Sequence, residues 1–215
     1  MSPLRTNLPK YGPCFSVMDF FTFTETMRTN FYPDNPVPSF EISDLIFAIN
    51  APLDYYPPAE DKRATLYFDQ TDCSRTLPEN AYQISCAHRL NTHEFIKWAA
   101  QGIEMIHTFL MHKGLICIDL VDLTNILQAC ESRKLILEIT SYSDSLELPW
   151  ESLQRFRFNN LFAALFADHD LTMQMISDLG CALDEINPNM DRFQLAANFH
   201  MDTLPVVMLL GELEP

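Results

Sequence analysis

The chain has 215 residues, of which 29 are acidic and 14 basic, for a formal charge of −15, and 47% of its residues are apolar. A chain of this length buries roughly 70% of its unfolded surface, enough for one large core or two small ones, which excludes disorder over most of it. The acidic balance, with basic residues scattered, repels phosphate backbones and anionic headgroups, so neither nucleic acid nor a membrane surface is expected as a partner.

Nine of the fourteen prolines precede residue 60. Proline withdraws a ladder donor and blocks helix interiors, so residues 1–90 are expected to form an irregular, Pro-rich amino-terminal region. Within it, residues 14–24 are rich in aromatic and β-branched side chains, 45–50 (LIFAIN) read as a short buried strand, and 64–68 as another. Asp54-Tyr-Tyr-Pro-Pro58 sets two aromatics on a stiff, extended segment, a form that suits docking onto a partner or packing back on its own core.

From Thr92 the character changes. Phe95, Ile96, Ala99, Ala100, Ile103, Ile106 and Leu110 recur at three- and four-residue spacing, which predicts an amphipathic helix of about 18 residues, capped by Thr92 and leaving at Gly114. Leu120, Leu123, Ile126 and Leu127 mark a second, shorter helix, with Asp119 as its natural N-cap and Asp122 at N3. Residues 134–140 read as a strand, 148–156 as a helix with Pro149 in its first turn, 160–166 as a buried strand, and 172–186 as a helix. Asp168-His169-Asp170 reads as a polar corner. Two last strands, 193–199 and 204–210, are expected to pair antiparallel in an α/β sheet.

Candidate chemistry is sparse. The six cysteines form no CxxC pair and suit buried thiols in a reducing compartment. His88 with His93, and His107 with His112, stand five apart, not at the i, i+4 spacing that sets two imidazoles on one helix face for zinc, so no metal site is expected. Met173, Met175 and Met190 read as core filler. No serine sits in a glycine elbow. The five glycines are never closer than twelve residues apart, whereas a phosphate-cradling loop needs them clustered so that several N–H groups converge. No nucleotide loop and no cofactor are expected. No apolar run has the length of a signal or a membrane span, which points to the cytoplasm.

Trp98-Ala-Ala-Gln-Gly-Ile103, followed by Gly114-Leu-Ile-Cys-Ile-Asp-Leu-Val-Asp122, resembles the central helix and synergy loop of FtsZ, the bacterial relative of tubulin, whose pattern is QGI and then GLINxDxxD. Later segments continue the resemblance in order. Residues 160–170 are similar to the strand and turn ending in GGxD, 171–185 to the next helix, 187–191 to a DPxAN-type loop, and 193–202 and 204–211 to the closing strands, with VVMLLG where the family has VTVIATG. The resemblance covers residues 93–211.

The resemblance implies an FtsZ/tubulin carboxy-terminal-type domain over residues 91–215, a mixed sheet of about four strands with flanking helices. It leaves residues 1–90 as a divergent region, in which at most 44–53 is a remnant of a GTPase domain. The family's GGGTGTG signature has no counterpart, and Cys117 stands where the family has asparagine, so no GTPase activity is expected. Asp119 and Asp122 match the two acidic positions that, in the family, reach to the next subunit and orient the water attacking its GTP. Their spacing equally suits a helix cap. Gly114, Cys117, Asp119 and Asp122 are therefore the candidate partner-binding residues. The partner implied is an FtsZ/tubulin-like filament protein or a second copy in a homodimer, with the chain capping or modulating a filament. The other reading is a self-associating scaffold or small-ligand module on the same fold.

Overall fold

A computed structural model describes residues 13–22, 24–29, 43–57, 64–70, 73–142, 147–168, 171–199 and 205–214. Strands β1 (Cys14–Asp19), β2 (Thr24–Thr29), β3 (Leu45–Ile49), β4 (Ala64–Phe68) and β5 (Ala81–Ser85) come first, and helices α1 (Thr92–Met111) and α2 (Leu120–Ala129) follow. Then come β6 (Lys134–Ser141), the single-turn α3 (Trp150–Leu153), β7 (Phe158–Ala167), α4 (Met173–Ile186), β8 (Arg192–Phe199) and β9 (Val206–Leu213). These strands join one sheet in the order β2-β1-β3-β4-β5-β6-β9-β7-β8.

The succession β1, β3, β4, β5, β6 is parallel. Strand β9 runs antiparallel between β6 and β7, β8 is parallel to β7, and β2 is antiparallel to β1. Among the described residues the sheet has nine strands instead of the about four expected, and residues 1–90, expected to be irregular, supply five of them. The prolines described in that stretch, Pro13, Pro52, Pro57 and Pro78, all lie outside the strands, where a missing N–H removes no ladder bond. The closing strands also depart from expectation. β8 and β9 run in opposite directions but are not neighbours, because β7 lies between them.

Strand β7 shows why its sequence is a near-continuous apolar run. Phe162, Ala164 and Phe166 enter one core with α1 and α2, while Leu161, Ala163, Leu165 and Ala167 enter a second with α4. A strand covered on both faces buries both of its alternating sets. A third, smaller cluster of Ala48, Ala51, Tyr67 and Ala81 is joined by Phe20, Tyr55 and Leu77. Of the aromatics at 55 and 56, Tyr55 packs edge-on against Phe20 at 4.6 Å, and Tyr56 is exposed.

Helix α1 has its N-cap one residue earlier than expected. Asn91 takes that place, accepting from the His93 and Glu94 N–H groups at 3.0 Å each, and the Glu94 carboxylate accepts the Asn91 N–H at 2.9 Å. This reciprocal box satisfies donors that the first turn leaves orphaned. The helix ends at the C-cap His112, two residues before Gly114. Helix α3 fills only 150–153 of the expected 148–156, with Pro149 at its N-cap. Met175 and Met190 pack on the α4 core as expected, but Met173, the first residue of α4, is 60% exposed. Residues 169–170 and 200–204, which include part of the expected polar corner and the last connection, lie outside the described residues.

One buried ion pair ties the loops after β3 and β4 together. Arg75 Nε and Nη2 donate to the two Asp69 oxygens at 3.0 Å each, Nη1 donates to Pro52 O and Nη2 to Ala51 O at 2.7 Å each, and the two side chains are only 1% and 3% exposed. Gln83 Nε2 adds a bond to Asp69 at 3.1 Å, and the guanidinium lies 4.2 Å above the Tyr67 ring. Removing one member strands a buried charge, which costs about 3–5 kcal/mol. Arg75→Ala is therefore expected to lower the unfolding free energy by that amount, with a lower urea midpoint at an unchanged m-value, and equilibrium urea unfolding checks it.

Candidate functional site

The segment between α1 and α2 is built against β8. Ile116 and Ala197 exchange two backbone hydrogen bonds of 3.1 Å, an isolated antiparallel bridge that pins the middle of the segment. The Asn198 side-chain amide donates to the carbonyls of Thr108 and His112 at 3.2 Å each, satisfying acceptors at the end of α1. Gly114 lies so close to β8 that a Cβ there would overlap the Ala197 carbonyl oxygen and sit 3.0 Å from Asn198 Cα. Only glycine permits that approach.

Beyond the bridge the chain turns into α2. Asp119 Oδ1 accepts from the N–H groups of Val121 at 2.7 Å and Asp122 at 2.9 Å, and Asp122 Oδ2 accepts the Asp119 N–H at 3.0 Å. The two carboxylates thus form a capping box. They are not buried by it: Asp119 is exposed and Asp122 half-buried. Asp119 Oδ2 takes no part in the cap, and Asp122 Oδ1 is 3.5 Å from the Gln194 amide. Cys117 is exposed, with its thiol 3.4 Å from the Gly114 carbonyl.

Three large apolar side chains on this segment and at the end of β8 are exposed. Leu115 is 42% exposed, Val121 48% and Phe199, at the end of β8, 47%. The four sequence-predicted residues, Gly114, Cys117, Asp119 and Asp122, lie within nine consecutive positions, and the structure holds that segment to β8 at Ile116. Asn198 and Phe199, at the end of β8, adjoin it. No sequence signal marks them, because Asn198 meets α1 across 86 and 90 positions of chain, and such a pairing has no local signature.

A second group of reactive side chains lies where β5 ends. Donor atoms of Cys86, His88 and Glu138 are all within 4.8 Å of one another, and Cys86 Sγ is 3.4 Å from His88 Nδ1. Burial pushes the Cys86 thiol above its usual range. It also raises the Glu138 carboxyl, against the opposing pull of His88 and Arg155. The Cys86-x-His88 spacing is visible in the sequence, but the third member comes from β6, far along the chain. Elsewhere, burial pushes the Cys130 thiol up to about 12, helped by the Glu212 carboxylate, so it stays protonated at neutral pH.

No family model matches the sequence, and no curated protein does. Solved structures do match in fold. CetZ from Methanosaeta thermophila aligns with a TM-score of 0.55 at 9% identity over 80% of this chain and 62% of its own. An FtsZ point mutant from M. jannaschii aligns at 0.53 with 10% identity, over 80% of this chain and 66% of its own. An FtsZ dimer from the same organism aligns at 0.54 with 10% identity, over 80% and 64%. The chain spans less than two thirds of the length of these structures. It has the fold that CetZ and FtsZ share. No helix among the described residues is long and apolar enough to cross a membrane.

The capping geometry can be measured as stability. Asp119→Ala removes two bonds to helix N–H groups and is expected to cost about 1 kcal/mol, whereas Asp119→Asn, an equally good N-cap, costs close to nothing. Urea denaturation of the two variants side by side checks it.

Proposed function

We propose that this chain is a non-catalytic partner of an FtsZ/tubulin-like filament, docking through residues 114–122 at a filament end and altering filament turnover. One observation carries the reading: a short segment, bridged to β8 at Ile116, carries the exposed Leu115, Asp119 and Val121, and the exposed Phe199 ends β8 two residues past that bridge. Large exposed apolar side chains on a fixed segment suit a protein contact better than bulk water.

The fold shared with CetZ and FtsZ supports the choice of partner. Head-to-tail stacking uses two different faces of each subunit, a heterologous contact that propagates. The five scattered glycines of this chain give it no loop that could cradle a nucleotide phosphate, so it brings one of those faces and not the other. Such a subunit joins a stack at one end and halts growth there. On this reading the chain does not hydrolyse GTP, and Asp119 and Asp122 serve recognition: their charge meets the partner while their inner oxygens hold the helix start.

The test mixes purified chain with FtsZ and GTP, following polymer mass by light scattering and phosphate release. Expected is a substoichiometric drop in polymer mass, lost in the Asp119→Asn, Asp122→Asn double variant, in which the amide at position 119 keeps the N-cap and the charge is gone. No change in either signal up to equimolar chain contradicts the proposal and leaves a scaffold of another role.

A further inference from the structure

We infer that Cys86, His88 and Glu138 form a binding site for a thiophilic divalent cation of the zinc class, one ion per chain. The three side chains supply one sulfur, one nitrogen and one oxygen, the donor set that zinc takes from proteins. Their spacing fits. With zinc bonds of about 2.3 Å to sulfur and about 2.0–2.1 Å to nitrogen, the edge of a tetrahedron joining the two donors is about 3.5 Å. Cys86 Sγ and His88 Nδ1 are 3.4 Å apart without a metal, and the other donor pairs are within 4.8 Å. The Glu138 carboxylate is therefore near enough to join an ion held by the other two. Sγ also lies 3.9 Å from His88 Nε2, so the imidazole must turn to aim one nitrogen's lone pair at an ion shared with the sulfur, and the exposed position of His88 leaves room for that turn.

The site is built on rigid elements and is open on one side. Cys86 directly follows β5, and Glu138 lies inside β6. Cys86 is buried, Glu138 half-buried and His88 exposed, so the fourth coordination position faces solvent on the His88 side and takes water or a ligand from outside. On binding, the Cys86 thiol becomes a thiolate, its proton passes to the buffer, and no electron is transferred.

The position also gives the ion a structural consequence. The β5–β6 ladder is the shortest in the sheet among the described residues, with only Gln83, Ile84 and Ser85 facing Lys134, Leu135 and Ile136. It joins the five strands before α1 to the four after α2. An ion held by Cys86, His88 and Glu138 clamps the two strands just past the point where their hydrogen bonding ends. The site uses none of residues 114–122 and is independent of the filament reading.

The experiment uses the reduced full chain, freed of metal, titrated with Zn²⁺ against a chromophoric indicator and with Co²⁺ as the spectroscopic probe. Expected are one equivalent of each ion, a thiolate-to-cobalt charge-transfer band in the near ultraviolet, and a thermal midpoint that rises with free Zn²⁺. Cys86→Ser abolishes the band, and Cys117→Ser and Cys181→Ser, at the two exposed thiols, leave it intact. His88→Ala and Glu138→Gln each weaken Zn²⁺ binding by about tenfold or more. Because His88 is exposed, its variant keeps the fold and decides the matter even if the buried Cys86 tolerates no change. Absence of the band, a band that survives Cys86→Ser, or Zn²⁺ affinity unchanged in His88→Ala overturns the site.

Discussion

The apolar stripe of α1 touches strands from both halves of the sheet. Phe95 and Trp98 meet at 5.6 Å, Trp98 lies 5.5 Å from Phe68 of β4, and its indole N–H donates to the Leu137 carbonyl of β6 at 3.2 Å. One turn further, Gly102 lets the helix come so near β6 that a Cβ would overlap the Leu137 side chain. Phe109 then packs at 4.6 Å on Phe162 of β7, and Asn198 of β8 closes the last turn. Each fully buried side chain of this size contributes about 1.5–3 kcal/mol. The stripe therefore binds β4, β6, β7 and β8 into one core, a stronger tie than the three-residue ladder between β5 and β6.

The same burial determines where the chain leaves α1. A helix pressed along the sheet must depart from it at a fixed point, and α1 departs beside β8, where Asn198 takes its end carbonyls and Ala197 bonds Ile116. Residues 114–122 are consequently not a free loop. Their backbone is held to β8 at Ile116 and to α2 by the Asp119–Asp122 box, while Leu115, Cys117, Asp119 and Val121 face outward. Capping and recognition do not compete at Asp119, because the cap uses its Oδ1 and leaves Oδ2 on an exposed side chain, while the half-buried Asp122 divides its oxygens between the cap and the Gln194 amide.

The sequence discloses the parts that depend on local chemistry. The α1 stripe is plain because seven apolar residues hold helical spacing over 16 positions, and Asp119 is plain as a cap because an acidic residue stands directly before an apolar helix. The N-cap of α1 lies one residue before Thr92, which also caps well; Asn91 with Glu94 three residues later is the better sign. Strand β5 (AYQIS) escapes a reading by pattern, being short and half polar. The insertion of β9 between β6 and β7 is not legible either, since pairing between distant segments leaves no periodicity. The same holds for Glu138 with Cys86, which stand far apart in the chain and meet only once β5 and β6 have paired.

The filament reading rests on residues 114–122 being the contact surface. Amide hydrogen exchange of the chain, alone and bound to growing FtsZ filaments, tests that most directly. Slowed exchange confined to residues 115–122 and the end of β8, with α1 unchanged, is the expected result. Protection at the β1–β2 edge, with residues 115–122 exchanging as in the free chain, contradicts it.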